Sequence, residues 1–377
     1  MDPLRRFALA AALLLAIAAC GGGSSSTDDA DGDGVLDAAD LLPGYTLVVA
    51  AADFTSPEGR VFAATPAVTV GPDPISTDVV LREHGGMVYA INRFGADNIQ
   101  VLDPAAGFAT TVQYSTGNGS NPHDIAVVAP HRAYVTRNQE ATLRVVDPAT
   151  GDELGTIDLA ALADGDGLPE MDQMALVGDD LFVTLQRLDQ DNFFIPSGPG
   201  AVAVIDTTSE QVVASFALQG KNPASRLEND GRYLYVATTG DFGVADGGVE
   251  RIDPSDATAS TTVVSGADLG GDLSELAIAG ATKGYVVVSA FDFASGASSN
   301  RVVAFNPTTG VILGDVFANN AFLPDIRISP DGALLAITDR TPANPGVLFF
   351  DTATHGLVAG PIHDPSRLPP SSLVFVE

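Results

Sequence analysis

The chain has 377 residues, with 48 acidic and 18 basic side chains and a formal net charge of −30 at pH 7. A surface this acidic argues against nucleic-acid binding, because that binding depends on lysine and arginine displacing counterions from phosphates. The single cysteine, Cys20, excludes an internal disulfide and a cysteine metal cluster. The length allows one large domain and a leader.

Residues 1–19 have the three parts of an export signal. Arg5 and Arg6 form the positive start, residues 7–17 are apolar, and two alanines precede the cut. The apolar run is too short for a helix to span a ~30 Å hydrocarbon core. We therefore predict a signal peptide that is cleaved before Cys20.

The string Ile-Ala-Ala-Cys at 17–20 resembles the lipobox of bacterial lipoproteins. The resemblance implies that Cys20 is lipidated and that the membrane is a partner through this anchor, since two acyl chains hold a protein stably. Gly21 after the cysteine implies the outer membrane or cell surface, with the periplasmic face as the alternative. Residues 20–28, rich in Gly and Ser, are then a flexible tether.

Residues 29–43 form an acidic segment with the spacing of a calcium loop. Carboxylates stand at positions 1, 3, 5, 9 and 12, with Gly34 at position 6 and a backbone carbonyl at position 7. Hard oxygens at this spacing suit Ca²⁺. The predicted ligands are Asp29, Asp31, Asp33, Val35, Asp37 and Asp40. The segment resembles the Asp-rich thrombospondin type 3 repeats, although Asp40 is shorter than the usual Glu; a solvated acidic spacer is the alternative.

A four-strand unit recurs through residues 44–377. It is clearest at 121–159, where short runs are separated by Pro, Gly and Asx turns. Its second strand recurs at steps of about 45 to 53 residues, a period typical of β-propeller blades. The markers of this strand are Tyr89, Tyr134, Phe182, Tyr235, Tyr285 and Leu335.

Six complete units leave two fragments, 45–71 with three strand-like runs and 371–376 with one. We predict that the C-terminal strand is the inner strand of the blade that the N-terminal fragment begins, because closure removes free sheet edges. The predicted fold class is therefore an all-β, seven-bladed β-propeller closed by pairing of its N- and C-terminal strands.

The blade sequences resemble the YVTN-repeat family of seven-bladed propellers and, more distantly, lactonase-type propellers. The residues that carry this resemblance are AYVTRN at 133–138 and VVDPATG at 145–151. The resemblance implies the fold and leaves the function open, because propellers host many activities. Within the repeat, we expect Asp147 to cap its turn and the tyrosines to pack between blades.

Residues just before and at each inner strand are predicted to ring the mouth of the central channel. They combine carboxylates with one arginine and one histidine: Asp78, His123, Asp124, Asp172, Arg226, Glu275, Asp325 and, at the last strand, Ser372. Such a ring can bind a cation or a polar ligand, or supply acid and base groups. A hydrated polar mouth without a ligand is the alternative.

The same face is predicted to carry four long insertions without strands, at 188–200, 240–248, 290–300 and 340–346. Their aromatic residues are Phe193, Phe194, Phe242, Phe291 and Phe293. Exposed aromatics on loops above a rigid scaffold often form binding sites. The alternative is a lid that folds over the channel.

Catalytic signatures are absent from the sequence: it has no Gly-x-Ser-x-Gly elbow, no HExxH helix and no phosphate-binding loop, and no organic cofactor is evident. We therefore expect a monomeric binding module for a protein, glycan or polymer ligand. The alternative function is a lactonase-like, metal-assisted hydrolase that uses the channel-mouth carboxylates.

Overall fold

A computed structural model describes residue 42, residues 44–53, residue 56, residues 58–64 and residues 68–377. The predicted signal peptide and the tether lie outside these described residues, and so does the acidic segment at 29–43 with its predicted calcium ligands, apart from Leu42. Strands are the main secondary structure of the described residues and helix is scarce, and none of the described helices has the length and apolar character needed to cross a membrane.

Seven antiparallel sheets of four strands form the blades of the propeller. In six of them the four strands come from one continuous segment, and the first strand is the innermost. From the inner edge outwards they are blade 1, β4 to β7 (Val79–His84, Met87–Asn92, Asn98–Asp103, Ala109–Ser115); blade 2, β8 to β11 (Pro122–Ala129, Arg132–Arg137, Thr142–Val146, Glu153–Asp158); blade 3, β12, β13, β16 and β17 (Met171–Val177, Asp180–Leu185, Ala201–Asp206, Gln211–Ala217); blade 4, β18 to β21 (Glu228–Asn229, Leu234–Thr238, Gly248–Ile252, Ser260–Ser265); blade 5, β22 to β25 (Asp272–Gly280, Lys283–Asp292, Ala297–Phe305, Ile312–Asn319); and blade 6, β26 to β29 (Ile326–Ile328, Leu334–Asp339, Gly346–Asp351, Leu357–Ile362).

Short helical turns join some of these strands. They are the 3-10 helices Pro104–Ala106, Ala160–Leu162, Gln190–Asn192 and Pro254–Asp256, and one α-helical turn, Gly266–Leu269.

The seventh blade joins the two ends of the domain. Its inner strand is β30 (Pro370–Val376), followed outwards by β1 (Thr46–Ala51), β2 (Arg60–Ala63) and β3 (Thr69–Val70). Val374 pairs with Val48, and the antiparallel ladder runs the length of β1. The predicted closure and the number of blades are confirmed.

The repeated residues have the structural roles that the sequence predicts. Tyr134, Tyr235 and Tyr285 are fully buried, and Tyr134 packs against hydrophobic residues of the next blade, including Met171. Asp147 accepts a hydrogen bond from the backbone N–H of its turn at 2.9 Å. The core is therefore divided into layers between neighbouring blades, and each turn is capped locally.

Two of the four insertions predicted as loops contain strands. In one, β14 (Leu188–Asp189) pairs with β15 (Ile195–Pro196), and in another, β23 and β24 stay paired as far as Asp292 and Ala297. The prediction of loops without strands was wrong here, because a chain that turns back on itself satisfies its backbone groups by pairing.

Closure can be tested with one buried leucine. Leu373 on β30 is fully buried and packs with residues of blade 6. Leu373→Ala should lower the free energy of unfolding by about 2–5 kcal/mol, measured by urea denaturation. The matched control Leu357→Ala, at a leucine 57% exposed on β29, should change it by less than about 0.5 kcal/mol. Equal effects of the two substitutions would contradict the inner position of β30.

Candidate ligand site at the channel mouth

The two ends of the propeller differ in what they carry. Asp78 precedes β4 and Arg93 follows β5, and the Arg93 N–H donates to the Asp78 carbonyl at 2.8 Å, so these loops meet at one end. We call this end the loop face. The opposite face carries the hairpins between first and second strands, and there Thr46 at the start of β1 pairs with Val376.

A cavity of about 270 Å³ opens on the loop face. The predicted residues that line it are Asp78, His123, Asp172, Arg226, Glu275, Asp325 and Ser372. The lining also contains polar residues that the sequence analysis missed: Arg82, Arg93, Gln173, Gln186, Arg327 and Arg340. The prediction that one arginine lies at the channel mouth was wrong, because five arginines line the cavity. Strand alternation could have identified Arg327, which lies two residues after Asp325 and so points to the same side of the chain.

Asp124 does not line this cavity. Its buried carboxylate accepts hydrogen bonds from Arg82 Nε on β4 at 2.6 Å and from the Met174 N–H on β12 at 2.8 Å. Because a buried carboxylate is stable only with donors around it, Asp124 links the inner strands of blades 1, 2 and 3. Asp124 therefore stabilises the contact between these blades.

His123 and Asp172 form a hydrogen-bonded pair at the cavity wall. His123 Nδ1 lies 2.8 Å from Asp172 Oδ1, and Gln173 and Gln186 donate to the same carboxylate at 2.7 and 3.1 Å. These contacts fix the imidazole ring, and its Nε2 has no hydrogen-bond partner among the described residues. The pair therefore has the geometry of an oriented general base.

Asp325 is held from several sides. Its Oδ2 accepts hydrogen bonds from the backbone N–H of Leu373 at 2.9 Å and from Ser372 Oγ at 3.0 Å. Arg226 Nη2 lies 3.3 Å from Oδ2, and Arg327 Nη2 lies 2.9 Å from Oδ1. Burial raises the pKa of Asp325, and the positive charge of Arg226 opposes that rise. These contacts join blades 4, 6 and 7 across the channel.

Glu275 is the cavity carboxyl group to which none of the described residues donates a hydrogen bond. Burial and the like charge of Asp325 raise its pKa well above the ordinary value, against the opposing effect of Arg226. A carboxyl group in this state keeps its proton to a higher pH than an ordinary glutamate does, so the protonated form can donate a hydrogen bond or act as an acid.

Within the described part of the chain, one cluster of three carboxylate side chains has the spacing to hold a metal ion. Oxygens of Asp164, Asp166 and Glu170 lie within 4.8 Å of one another in the loop before β12. They lie outside the cavity lining. The cavity carboxylates form no such cluster among the described residues, and the lining also contains arginine, histidine and glutamine side chains.

The predicted loop-face aromatics form two separate groups, and none of the five lines the cavity. Phe242, Phe291 and Phe293 pack together with ring centroids 4.9 to 6.1 Å apart, yet remain 38 to 69% exposed. We call them the phenylalanine patch. Phe193 and Phe194 lie exposed at the tip of the β14–β15 hairpin. The aromatic side chain that does line the cavity is Phe322, so the five do not form a lid over it.

The loop that carries Phe242 is fixed by charged groups. Lys221 Nζ lies 2.5 Å from Asp241 and 3.0 Å from Asp246, one on each side of the phenylalanine in the sequence. The Asp272 carboxylate accepts hydrogen bonds from two backbone N–H groups of the same loop, at 2.6 and 3.1 Å. The ring of Phe242 is therefore presented to solvent by a preorganised backbone.

No protein-family model matches this chain, and no curated protein matches it. Solved structures do show a similar fold. A putative 6-phosphogluconolactonase from Bacteroides uniformis has a TM-score of 0.57 at 16% identity, over 88% of this chain and 99% of that one. Hydrazine synthase from Kuenenia stuttgartiensis has a TM-score of 0.54 at 17% identity, over 73% and 76% of the two chains. AztD from Citrobacter koseri has a TM-score of 0.50 at 12% identity, over 88% and 98%.

These similarities, at such low identities, concern the fold alone. Together with the seven four-stranded sheets they define the class of this protein as a seven-bladed β-propeller. Propellers carry many unrelated functions, so the function has to be argued from the site.

Glu170 provides a pH test of the carboxylate cluster in the loop before β12. Glu170 is fully buried, and burial raises its pKa from 4.5 to about 8. Between these two values the folded state holds a proton that the unfolded chain has lost, so the free energy of unfolding falls as pH rises. Glu170→Gln mimics the protonated group. It should match wild type near pH 4 and exceed it at pH 9 by a few kcal/mol.

The measurement is urea denaturation of the full chain at both pH values, with a chelator present so that no cation occupies the carboxylates. The control Glu58→Gln, at an exposed position, should change the stability by less than about 0.5 kcal/mol at either pH. A Glu170→Gln effect of the same size at pH 4 and pH 9 would contradict the raised pKa.

Proposed function

We propose that this protein is an exported, lipid-anchored binding module that recognises its ligand with the loop face. The observation that carries the proposal is the phenylalanine patch, three rings that pack on one another and remain exposed on the insertions of blades 4 and 5. Exposed apolar clusters of this kind mark interaction sites on soluble proteins. Rigid aromatic side chains also contribute much of the energy of binding.

The position of the first strand supports an outward-facing loop face. β1 begins at Thr46 on the opposite face. A tether over residues 20–28, anchored through lipidated Cys20 at the outer membrane or cell surface, would leave the propeller on that side. The loop face would then point away from the membrane. A Ca²⁺-bound loop at 29–40 remains part of the proposal as a stiffener between tether and propeller.

The proposed ligand is a protein, glycan or polymer that presents a flat apolar surface, such as a sugar ring or an aromatic side chain. Such surfaces stack on exposed phenylalanine rings. The net charge of −30 disfavours nucleic acid as the ligand.

The phenylalanine patch can be tested by removing one ring. On a glycan and peptide array probed with the full chain in detergent, Phe293→Ser should weaken ligand binding about tenfold or more, since loss of a central aromatic contact costs about 1.4 kcal/mol or more. The matched control Phe94→Ser removes a phenylalanine 75% exposed on the same face in blade 1 and should retain binding. Equal binding by the two variants would contradict the proposal. So would the absence of any glycan or peptide ligand for the wild-type protein.

A second candidate function is hydrolysis of a lactone or ester, and the His123–Asp172 pair favours it. His123 Nε2 would accept a proton from water, Asp172 would hold the imidazole ring, and protonated Glu275 would donate to the leaving oxygen. Arg226 would stabilise the developing oxyanion. Here a histidine base takes the role that the sequence analysis gave to a metal ion.

Two histidines with the same kind of contact make this candidate testable. Against a panel of sugar lactones and aryl esters, His123→Gln should lower kcat/KM by about 10²- to 10⁴-fold, as expected for loss of a general base. His131 pairs with Asp147 at 3.0 Å but is exposed on the opposite face, so His131→Gln should leave turnover unchanged. No turnover by wild type, or an equal loss in both variants, would rule out this function.

A further inference from the structure

We infer that the channel cavity binds a small carboxylate that also carries hydroxyl groups, with Arg226 as the residue that contacts the carboxylate. The inference rests on the proposal that the loop face is the binding face, and it names a ligand for the centre of that face. It does not depend on the phenylalanine patch. It also replaces the cation that the sequence analysis considered for the channel mouth.

Arg226 offers unused hydrogen-bond donors to the cavity. Its Nη2 donates to the Leu81 carbonyl at 3.0 Å and to Asp325 at 3.3 Å. An arginine has five N–H groups, so about three remain on Nε and Nη1, which contact no acceptor among the described residues. The side chain lines the cavity and is 16% exposed. A guanidinium group so largely removed from solvent is stabilised when an anion accepts from these donors.

Three carboxylates of the cavity already lie beside arginine or histidine side chains, so a cation would have to compete with these side chains. Asp78 pairs with Arg93 at 2.6 Å, Asp172 is held by His123, and Asp325 is held by two arginines. Glu275 has no such partner, but its raised pKa favours the uncharged form. The lining therefore favours a negative ligand over a positive one.

The other free polar groups of the cavity suit hydroxyl groups. His123 Nε2 and the Glu275 carboxyl group both face the cavity without a hydrogen-bond partner among the described residues. A hydroxyl group both donates and accepts, so it can satisfy either one. A volume of about 270 Å³ limits the ligand to roughly one sugar ring.

Three monosaccharides with the same ring separate the ligand classes. In calorimetric titrations of the full chain in detergent at pH 7, D-glucuronate should bind at least tenfold more tightly than D-glucose, and D-glucosamine should bind no better than glucose. Tightest binding of glucosamine, no binding of any of the three, or tighter binding of inorganic phosphate than of glucuronate would overturn the inference.

Arg226→Gln should weaken glucuronate binding about tenfold or more, because a hydrogen bond to a charged group contributes at least that factor. Arg327, Ser372 and the Leu373 N–H still hold Asp325 in this variant. The control Arg232→Gln makes the same change at an exposed arginine of blade 4 and should leave the affinity unchanged. Equal affinities of the two variants would overturn the role of Arg226.

Glu275→Gln provides a test that does not disturb an ion pair. Glu275 faces two carboxylates, Asp325 and Asp172, and two guanidinium groups, Arg226 and Arg82. As pH rises and Glu275 ionises, its new negative charge should weaken glucuronate binding by wild type. His123 also faces the cavity and remains in both proteins. The fall in affinity should be absent in Glu275→Gln, and an identical pH profile would overturn the inference.

Phe293→Ser should leave glucuronate affinity unchanged. A failure of the phenylalanine patch as a binding surface is therefore distinguishable from a failure of the cavity as a carboxylate site. Loss of glucuronate binding in Phe293→Ser would overturn the independence of the two sites.

Discussion

The pairing of β30 with β1 is the contact on which the rest of the molecule depends. Seven blades can enclose a channel only if the last strand of the chain completes the sheet that the first strand begins, and the ladder from Thr46–Val376 to Ala51–Pro370 does this. Strand edges that would otherwise lie open to another chain become internal. The same pairing brings Ser372 and Leu373 beside Asp325, so closure of the ring also completes the polar network of the channel.

That network explains why the channel is polar in a molecule whose blades pack through apolar layers. The ends of the inner strands meet at the channel, where apolar side chains of seven strands have too little room to interlock. Instead, Arg82 reaches Asp124, and Arg226 crosses from blade 4 to the Leu81 carbonyl of blade 1. Buried ions are stable only when paired and hydrogen-bonded, so these contacts compensate the charges and also connect the blades. The network leaves Glu275, His123 Nε2 and the free donors of Arg226 for a ligand.

The loop face thus combines two surfaces of different chemistry. The cavity is small, charged and lined by strand ends that closure holds rigid. The phenylalanine patch is apolar and lies on insertions of two adjacent blades, and Lys221 and Asp272 fix one of these insertions. A large ligand that rests on the patch and places one carboxylated unit in the cavity would use both surfaces. A small ligand would need the cavity alone.

The sequence by itself determined the number of blades, the closing strand and seven of the residues that line the cavity, because a repeat of fixed period places equivalent residues at equivalent points around a ring. It also identified the phenylalanines as exposed residues of the insertions. Only the tertiary structure decided which of these residues act together. Asp124 and Asp325 occupy similar places in their blades, yet Arg82 and Met174 bury one away from the cavity while the other faces it. Arg82 lies four residues after Asp78, and Arg327 lies two residues after Asp325. The sequence of one blade does not show that arginines from several blades converge. Charge pairing and burial depend on contacts between distant parts of the chain, and local sequence does not encode those distances.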